Sequence, residues 1–183
     1  SDYFIVPTSP DYFCLQAIGS LEKNIIKWQR EIKRFREDNN FDNRNFSIKN
    51  SPKFLGAVQQ RYRPRNDKPA TSFQAWIDKI RGAINDNLIP SLEKIDCAIS
   101  REKIEGVLKD TKLYPYDLAH VADFNSLIAI SQQLSKPVFA LTNLEIKQVG
   151  HVFGHAEETM ITSRDNFLEV FEDLAERVEL LTA

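Results

Sequence analysis

The sequence predicts a helix-rich α/β fold built on a mostly parallel sheet. Two short apolar runs, Tyr3–Val6 and Lys53–Gln60, are continuous rather than alternating, which is typical of strands covered on both faces. Between them, apolar residues recur every three or four positions and predict a long amphipathic helix from about Tyr12 to Arg36. A strand, a helix and a second strand in this order form one parallel crossover unit.

The elements after this unit are predicted from capping residues, periodicity and turn residues. An Asn-rich stretch, 37–52, predicts a surface loop between the first helix and the second strand. A helix capped by Thr71 or Ser72 is predicted to end near 85–87, and a short extended piece follows at 88–90. Next come a helix from Ser91 or Ser100 to Leu108, a turn at 113–117 and a helix over about 121–134. The last predicted elements are a third strand at 136–142 and two closing helices at 143–160 and 164–181, the second of which is capped by Ser163 and Asp165.

Composition limits the class of protein. The chain has 183 residues, of which 42% are hydrophobic, so it can bury one ordinary core and does not require a second domain. A net charge of -2 excludes a globally basic nucleic-acid binder, although local basic patches remain possible. No apolar run approaches the roughly 18 to 20 residues that span a bilayer, so no membrane association is expected. The two cysteines, Cys14 and Cys97, have no metal-like spacing and are typical of buried thiols in the cytoplasm.

The first predicted strand begins at the third residue of the sequence. A strand buried on both faces of a parallel sheet needs neighbouring strands. We therefore expect residues 1–183 to be the C-terminal part of a longer α/β domain.

Several segments resemble one family of nucleotide-dependent switches. The stretch from Asp2 to Ile18, DYFIVPTSPDYFCLQAI, and the stretch from Phe54 to Tyr62, FLGAVQQRY, resemble a strand with its helix entry and the following strand of the ParA-type partition ATPases, the ParA/MinD group of deviant Walker P-loop proteins. Ile89-Pro90, Asp123–Leu127 and Pro137–Leu141 are similar to more distal segments of that family.

This resemblance implies a doubly wound P-loop NTPase-like fold, of which this chain is the C-terminal part. It also implies ATP-dependent dimerisation with ATP and Mg²⁺ as cofactors, slow ATP hydrolysis, nonspecific DNA binding by the homodimer, and stimulation by a ParB-like partner protein. The family's phosphate-binding loop and Walker B aspartate precede the equivalent of Ser1, and no G-x-x-x-x-G-K-[ST] motif occurs in this sequence. We therefore expect residues 1–183 alone to be catalytically inactive and to hold no tightly bound cofactor.

The resemblance assigns base-binding positions to five residues. In the family, loops at the carboxyl ends of late strands hold the nucleotide base, which agrees with the general rule for open α/β sheets. Gln60 stands where many relatives have Asn or Thr, and its carboxamide can both donate and accept hydrogen bonds. Pro7, Thr8, Pro90 and Ser91 match other loop positions near the base, although ordinary turn chemistry explains such residues equally well.

Two groups of cations are candidates for DNA contacts, because phosphates require only a sequence-blind array of positive charge. The first group follows the second strand, and the second lies at helical spacing on the polar face of the first helix, where interleaved glutamates also permit an ordinary solvated surface. The candidates are Arg61, Arg63, Arg65 and Lys68 in the first group and Lys27, Arg30 and Arg34, preceded by Lys23, in the second.

Three alternatives stay open. A noncatalytic adaptor that keeps the fold to bind protein or DNA is favoured by the departures from the family pattern at Gln60 and Ser91. An unrelated α/β interaction domain would lack the parallel strand, helix, strand order. His151, His155 and Glu158 are spaced so that one helix face could ligate a metal, but half-exposed histidines are the commoner explanation.

Overall fold

A parallel sheet of three strands forms the centre of the molecule in the computed structural model, which describes residues 2–39, 51–62, 64–65, 68–69 and 71–183, without the side chains of 63–70. Strand β1 (Tyr3–Thr8) pairs with β2 (Lys53–Tyr62), and β2 pairs on its other side with β5 (Asp117–Ala122). The predicted α/β class and the parallel crossover unit are thereby confirmed. Of the predicted loop 37–52, residues 40–50 lie outside the described part of the chain.

The other described elements surround this sheet. They are helix α1 (Tyr12–Asp38), a two-stranded hairpin of β3 (Pro64–Arg65) and β4 (Lys68–Pro69), helix α2 (Thr71–Gly82), a π-helical segment (Ala83–Leu88), and helices α3 (Ile89–Glu93), α4 (Arg101–Leu108), α5 (Leu127–Leu134), α6 (Asn143–Gly150) and α7 (His155–Thr182).

Helix α1 begins where the sequence predicts it. The Asp11 side chain accepts a hydrogen bond from the backbone N–H of Cys14 at 2.8 Å and caps the first turn. Its apolar stripe packs only partly, because Ile18 is the one residue of this helix that is buried. Leu15, Leu21 and Ile25 also pack against the core but are only half-buried, whereas Trp28 and Phe35, towards the end of the helix, are exposed.

The centre of the core is β2, whose residues from Phe54 to Gln59 are all buried. Gly56 lets this strand approach β5 closely, since a Cβ placed there would lie 2.8 Å from both Leu118 Cγ and Tyr116 O. Its φ of +153° is also one that other residues rarely adopt.

The predicted end of the second long helix and the extended piece at 88–90 are wrong. Helix α2 continues without a break through the π-helical segment into α3, so Leu88 and Ile89 are helical and buried against the core. Pro90 lies inside this continuous helix, directly after the π-helical segment, whose last bond runs from Ile89 N to Ile84 O. Because proline has no N–H and its ring disturbs the regular α-helical ladder, the wider π-helical turn is where such a residue is accommodated. Of the two starts proposed for the next helix, Ser100 is correct, and its side chain accepts from Lys103 N.

The third strand lies at 117–122 rather than at the predicted 136–142. Asp117 and His120 interrupt the apolar pattern of β5, yet Asp117 is buried because Arg81 and His120 both contact its Oδ2, at 3.3 and 2.7 Å. The Arg81 guanidinium of α2 pairs with the carboxylate, and the His120 ring of the strand itself shares a hydrogen bond with it, which makes a polar strand residue tolerable inside the fold.

The segment 136–142 is instead a connection between α5 and α6. Only a short 3-10 turn, Val138–Ala140, forms there, and the Ser131 hydroxyl donates to the carbonyl of Lys136 to close the preceding turn. Its apolar residues pack on helices rather than strands: the ring of Phe139 lies 4.9 Å from that of Phe171 in α7.

The two closing helices exist, but their boundary differs from the prediction. Helix α6 ends at Gly150, and α7 begins at His155, so Ser163 and Asp165 lie inside α7 and are not caps. Thr142 and Glu145 form a capping box at the start of α6. Contacts with Lys136 first, and then with Thr142, lower the pKa of Glu145 to about 2.

Helix α7 also covers one edge of the sheet. Arg177 donates from Nη1 to the carbonyl of Leu118 at 3.0 Å and pairs with Asp173 at 2.7 Å. β5 has a strand neighbour on one side only among the described residues, so this guanidinium occupies part of its outer edge.

The cysteines are free thiols, Cys97 buried and Cys14 half-buried. Burial raises the pKa of the Cys97 thiol. None of the helices within the described ranges combines the length and the apolar character that crossing a bilayer requires.

Candidate functional site at the carboxyl edge of the sheet

The carboxyl ends of β1 and β2 bring three of the predicted base-binding residues together. Thr8 lies opposite Gln59 in the parallel register, so Gln60 follows immediately beside it, and Pro7 is exposed one residue earlier. The Thr8 hydroxyl is buried and donates to Gln59 Oε1 at 2.8 Å. Thr8 thus holds the two strand ends together, and its proton is committed to the protein.

Gln60 is half-buried at the point where β2 becomes irregular. The ladder to β5 shifts between Gln60 and Tyr62, and the intervening Arg61 is exposed with a φ of +62°. Tyr62 O accepts from Asp123 N at 2.9 Å and links this strand end to the loop after β5. Burial raises the pKa of the Tyr62 hydroxyl, which favours its neutral form.

Pro90 and Ser91 do not join this edge. The Ser91 hydroxyl donates to Glu22 Oε1 at 2.6 Å, and Glu22 lies ten residues into α1, roughly 15 Å along the helix from its start. The chain continues from there to Ala98, which bridges Phe54 near the amino end of β2. Both residues therefore lie towards the opposite edge of the sheet from Thr8 and Gln60.

A cleft that the sequence did not indicate lies beside the end of β5. It has a volume of about 250 Å³ and is formed by the loop after β5 and one face of α7. Asp123 holds the loop by accepting from Asn125 N at 3.2 Å, and Asn125 has a φ of +49°. The T-shaped pair of Phe124 and Phe167, with ring centroids 4.7 Å apart, contributes to its apolar part. The sequence signal for this cleft is the turn formed by Asp123, Phe124 and Asn125, which lies between β5 and α5 and not inside the predicted helix 121–134.

At the edge itself, two side chains carry groups of the kind that can contact a nucleotide base. Gln60 offers a carboxamide, and Pro7 offers an exposed apolar ring close to it. The cleft beside β5 is lined by Asp123 and by neutral side chains, so it offers no positive charge to phosphates. The sequence has no phosphate-loop motif to hold a triphosphate.

The predicted DNA-contacting cations fall into two separate places. Arg61 is exposed at the carboxyl edge, whereas Lys27, Arg30 and Arg34 are exposed at least fifteen residues into α1, roughly 22 Å from its start. Lys27 pairs with Glu31 at 3.7 Å. Arg63, and the side chains of Arg65 and Lys68, lie outside the described part, although the backbones of Arg65 and Lys68 pair in the hairpin.

The histidines considered as metal ligands do not share a helix face. His151 terminates α6 with a φ of +50°, and His155 begins α7, with its Nδ1 atom 3.9 Å from Glu158 Oε2. Within the described ranges, no group of three or more His, Cys, Asp or Glu side chains is placed to hold a metal ion. No protein-family model, curated protein or solved structure matches this chain.

Proposed function

We propose that residues 1–183 form the C-terminal part of a ParA-like ATPase, in which they supply a wall of the base pocket and a DNA-binding surface. In this proposal the complete protein dimerises with ATP and Mg²⁺, binds nonspecific DNA and responds to a ParB-like partner. One observation carries it. The two segments with the most specific likeness to that family are adjacent parallel strands, the first followed by helix α1, with Thr8 and Gln60 at the same edge.

The chain's own residues have distinct parts in this proposal. The buried Thr8 hydroxyl fixes the end of β1 against Gln59, so Pro7, the preceding residue of the same strand, has a defined position. Gln60, half-buried one residue later, orients the base by donating to and accepting from its edge. Ser91 is bonded to Glu22 and is not assigned to the base pocket.

The test is ATP binding and hydrolysis by the complete gene product, with and without duplex DNA, beside residues 1–183 alone. We expect binding and slow hydrolysis in the complete protein and neither in residues 1–183. A complete protein without affinity for ATP would contradict the proposal.

A substitution in the complete protein tests whether Gln60 contacts the nucleotide base. Gln60→Ala removes the carboxamide, and we expect it to weaken ATP binding about 5- to 10-fold, the effect of losing one hydrogen bond. Gln148→Ala, at an exposed position of α6, is the matched control and should bind ATP as the parent protein does. Equal affinities for all three proteins would remove Gln60 from the pocket.

A noncatalytic adaptor is the second candidate function. It is favoured by the Ser91–Glu22 bond, which places one of the family's pocket positions inside the helical layer. This alternative predicts that the complete protein binds DNA or a protein partner with the same affinity whether ATP is present or absent.

A further inference from the structure

Two exposed aromatic side chains and a half-buried one form a patch beside the carboxyl edge of the sheet. Tyr12 and Phe13 in the first turn of α1 are 55% and 81% exposed, and their rings meet edge to face with centroids 6.0 Å apart. Trp76 of α2 meets Tyr12 in the same manner at 6.3 Å. We refer to Tyr12, Phe13 and Trp76 as the aromatic patch.

The patch is not a part of the core that happens to reach the surface. In the same turn, Cys14 is directed inward, where its Sγ accepts from Ser9 N at 3.2 Å, and Ile18 one turn later is buried. The first turn therefore already contributes a separate inward face, and Phe13 lies on the other side. Phe13 is not held by the core, and together with Tyr12 and Trp76 it forms a contiguous aromatic surface of the kind that contacts other molecules.

Positive charge is interleaved with the aromatic rings. Lys79 Nζ lies 4.5 Å from the centre of the Trp76 ring. Arg61 is exposed at the same edge of the sheet.

The acidic residues next to the patch already have partners. Asp11 caps α1, and Asp78 accepts from Arg81 at 2.8 Å and from Gln74 at 2.9 Å. Lys79, in contact with the Trp76 ring, and the exposed Arg61 are the cations that this surface offers to an anionic partner. This combination favours a polyanion with flat, accessible rings over an apolar protein surface.

We propose that the aromatic patch binds single-stranded nucleic acid, with bases stacked on Phe13 and Trp76 and phosphates at Lys79 and Arg61. Stacking on aromatic side chains beside a cationic track is how strands are held without sequence preference. Duplex DNA cannot use the patch in this way, because its bases are already stacked on one another. The proposal goes beyond the proposed function, since it requires neither ATP nor duplex DNA.

The test uses residues 1–183 with Trp28→Phe, which leaves Trp76 as the one tryptophan of the chain. A labelled oligothymidine of about 12 nucleotides, within the site sizes known for such proteins, is added without ATP. We expect binding by fluorescence anisotropy, quenching of Trp76 emission, and weaker binding of a duplex of equal length.

Phe13→Ala should weaken binding of the oligonucleotide about 10-fold, as expected for losing one stacked base. Phe153→Ala is the matched control, because Phe153 is 69% exposed and also lies near a lysine, Lys147, with Nζ 6.0 Å from its ring centre. Circular dichroism of both variants reports whether the fold is kept.

Three outcomes would overturn the proposal. They are unchanged Trp76 emission, equal losses in the two phenylalanine variants, and duplex binding as tight as single-strand binding. If Phe13→Ala instead converts a dimer to a monomer by light scattering without affecting the oligonucleotide, the occupant is a second copy of the chain. None of these results depends on whether the complete protein hydrolyses ATP.

Discussion

Thr8 illustrates how much one buried hydroxyl contributes at the strand ends. Thr8→Val keeps the shape of the side chain but leaves Gln59 Oε1 buried without its donor, which is at 2.8 Å in the parent chain. We expect the free energy of unfolding to fall by about 1–3 kcal/mol in urea titrations. Thr162→Val, at an exposed position of α7, serves as the control and should change it by less than about 0.5 kcal/mol.

The double variant Thr8→Val with Gln59→Leu separates an unsatisfied carboxamide from simple loss of packing. Replacing both partners by apolar groups should restore most of the lost stability, because no polar atom is then left buried alone. A double variant less stable than Thr8→Val would contradict this explanation.

The raised pKa of the Tyr116 hydroxyl predicts that the free energy of unfolding decreases at high pH. Burial raises its pKa from 10.0 to about 12, and its hydroxyl donates to Ile99 O at 2.8 Å. Between these pH values the unfolded chain loses the phenolic proton while the folded chain keeps it. The unfolded state then binds fewer protons, and the stability that Tyr116 contributes is lost as the pH rises from 10 to 12.

The measurement compares the parent chain with Tyr116→Phe, which has no proton to lose at this position. At pH 7 the variant should be less stable by about 1 kcal/mol, since Ile99 O loses its donor. The difference should shrink across the alkaline range. A difference independent of pH would show that Tyr116 titrates equally in both states.

At the scale of single residues, a position can be predicted from the sequence when it depends on elements that are close together along the chain. Thr8 and Gln60 could be predicted at one edge, because strand, helix and strand fix their relation. The ion pair that buries Asp117 joins α2 to β5 across 36 positions, and no local pattern reveals such a partner. Ser91 was misplaced for a similar reason, since its bond to Glu22 depends on how two helices pack.

Among the elements, β2 depends on a glycine that allows the strands to approach. Gly56→Ala would place a Cβ 2.8 Å from the backbone of Tyr116 at a φ of +153°, so we expect a loss of about 2–4 kcal/mol from overpacking and backbone strain. Gly106→Ala in α4 meets nothing within 4 Å and should instead stabilise the chain by up to about 1 kcal/mol. Thermal unfolding of the two variants tests both signs, and a harmless Gly56→Ala would mean that the strands are farther apart.

The elements predicted correctly have a periodicity long enough to be unambiguous, as α1 does. The third strand was predicted at 136–142 but lies at 117–122, and this difference has a physical cause. Pro137 to Leu141 has the residue types of a strand, but its partners are helices, whereas β5 contains Asp117 and His120 and is a strand because β2 pairs with it. Tertiary pairing overrides intrinsic preference in both segments.

At the scale of the whole molecule, the two cationic groups lie far apart, so the contribution of each group to DNA affinity can be measured separately. If the α1 face contacts duplex phosphates, removing Lys27, Arg30 and Arg34 together should reduce the slope of log affinity against log salt by about 2.7, which is about 0.9 per phosphate contact. Arg61→Ala should reduce it by no more than about 0.9.

These slopes are measured in the complete protein with ATP and random-sequence duplex. Replacing Lys109, Lys112 and Lys103, which are exposed on or after α4, gives a control of equal charge. If the α1 variant has the same slope of log affinity against log salt as the parent protein, the cations of α1 do not contact DNA and are simply solvated.

The contact of Arg177 with the outer edge of β5 has a consequence for behaviour at high concentration. An unpaired strand edge is a template on which a second chain can add, and the Leu118 carbonyl would be one of its first acceptors. With a guanidinium already on that oxygen, an incoming strand must displace a charged group that Asp173 also holds. Arg177 therefore hinders edge-to-edge aggregation. Replacing it by alanine should lower the protein concentration at which precipitation begins.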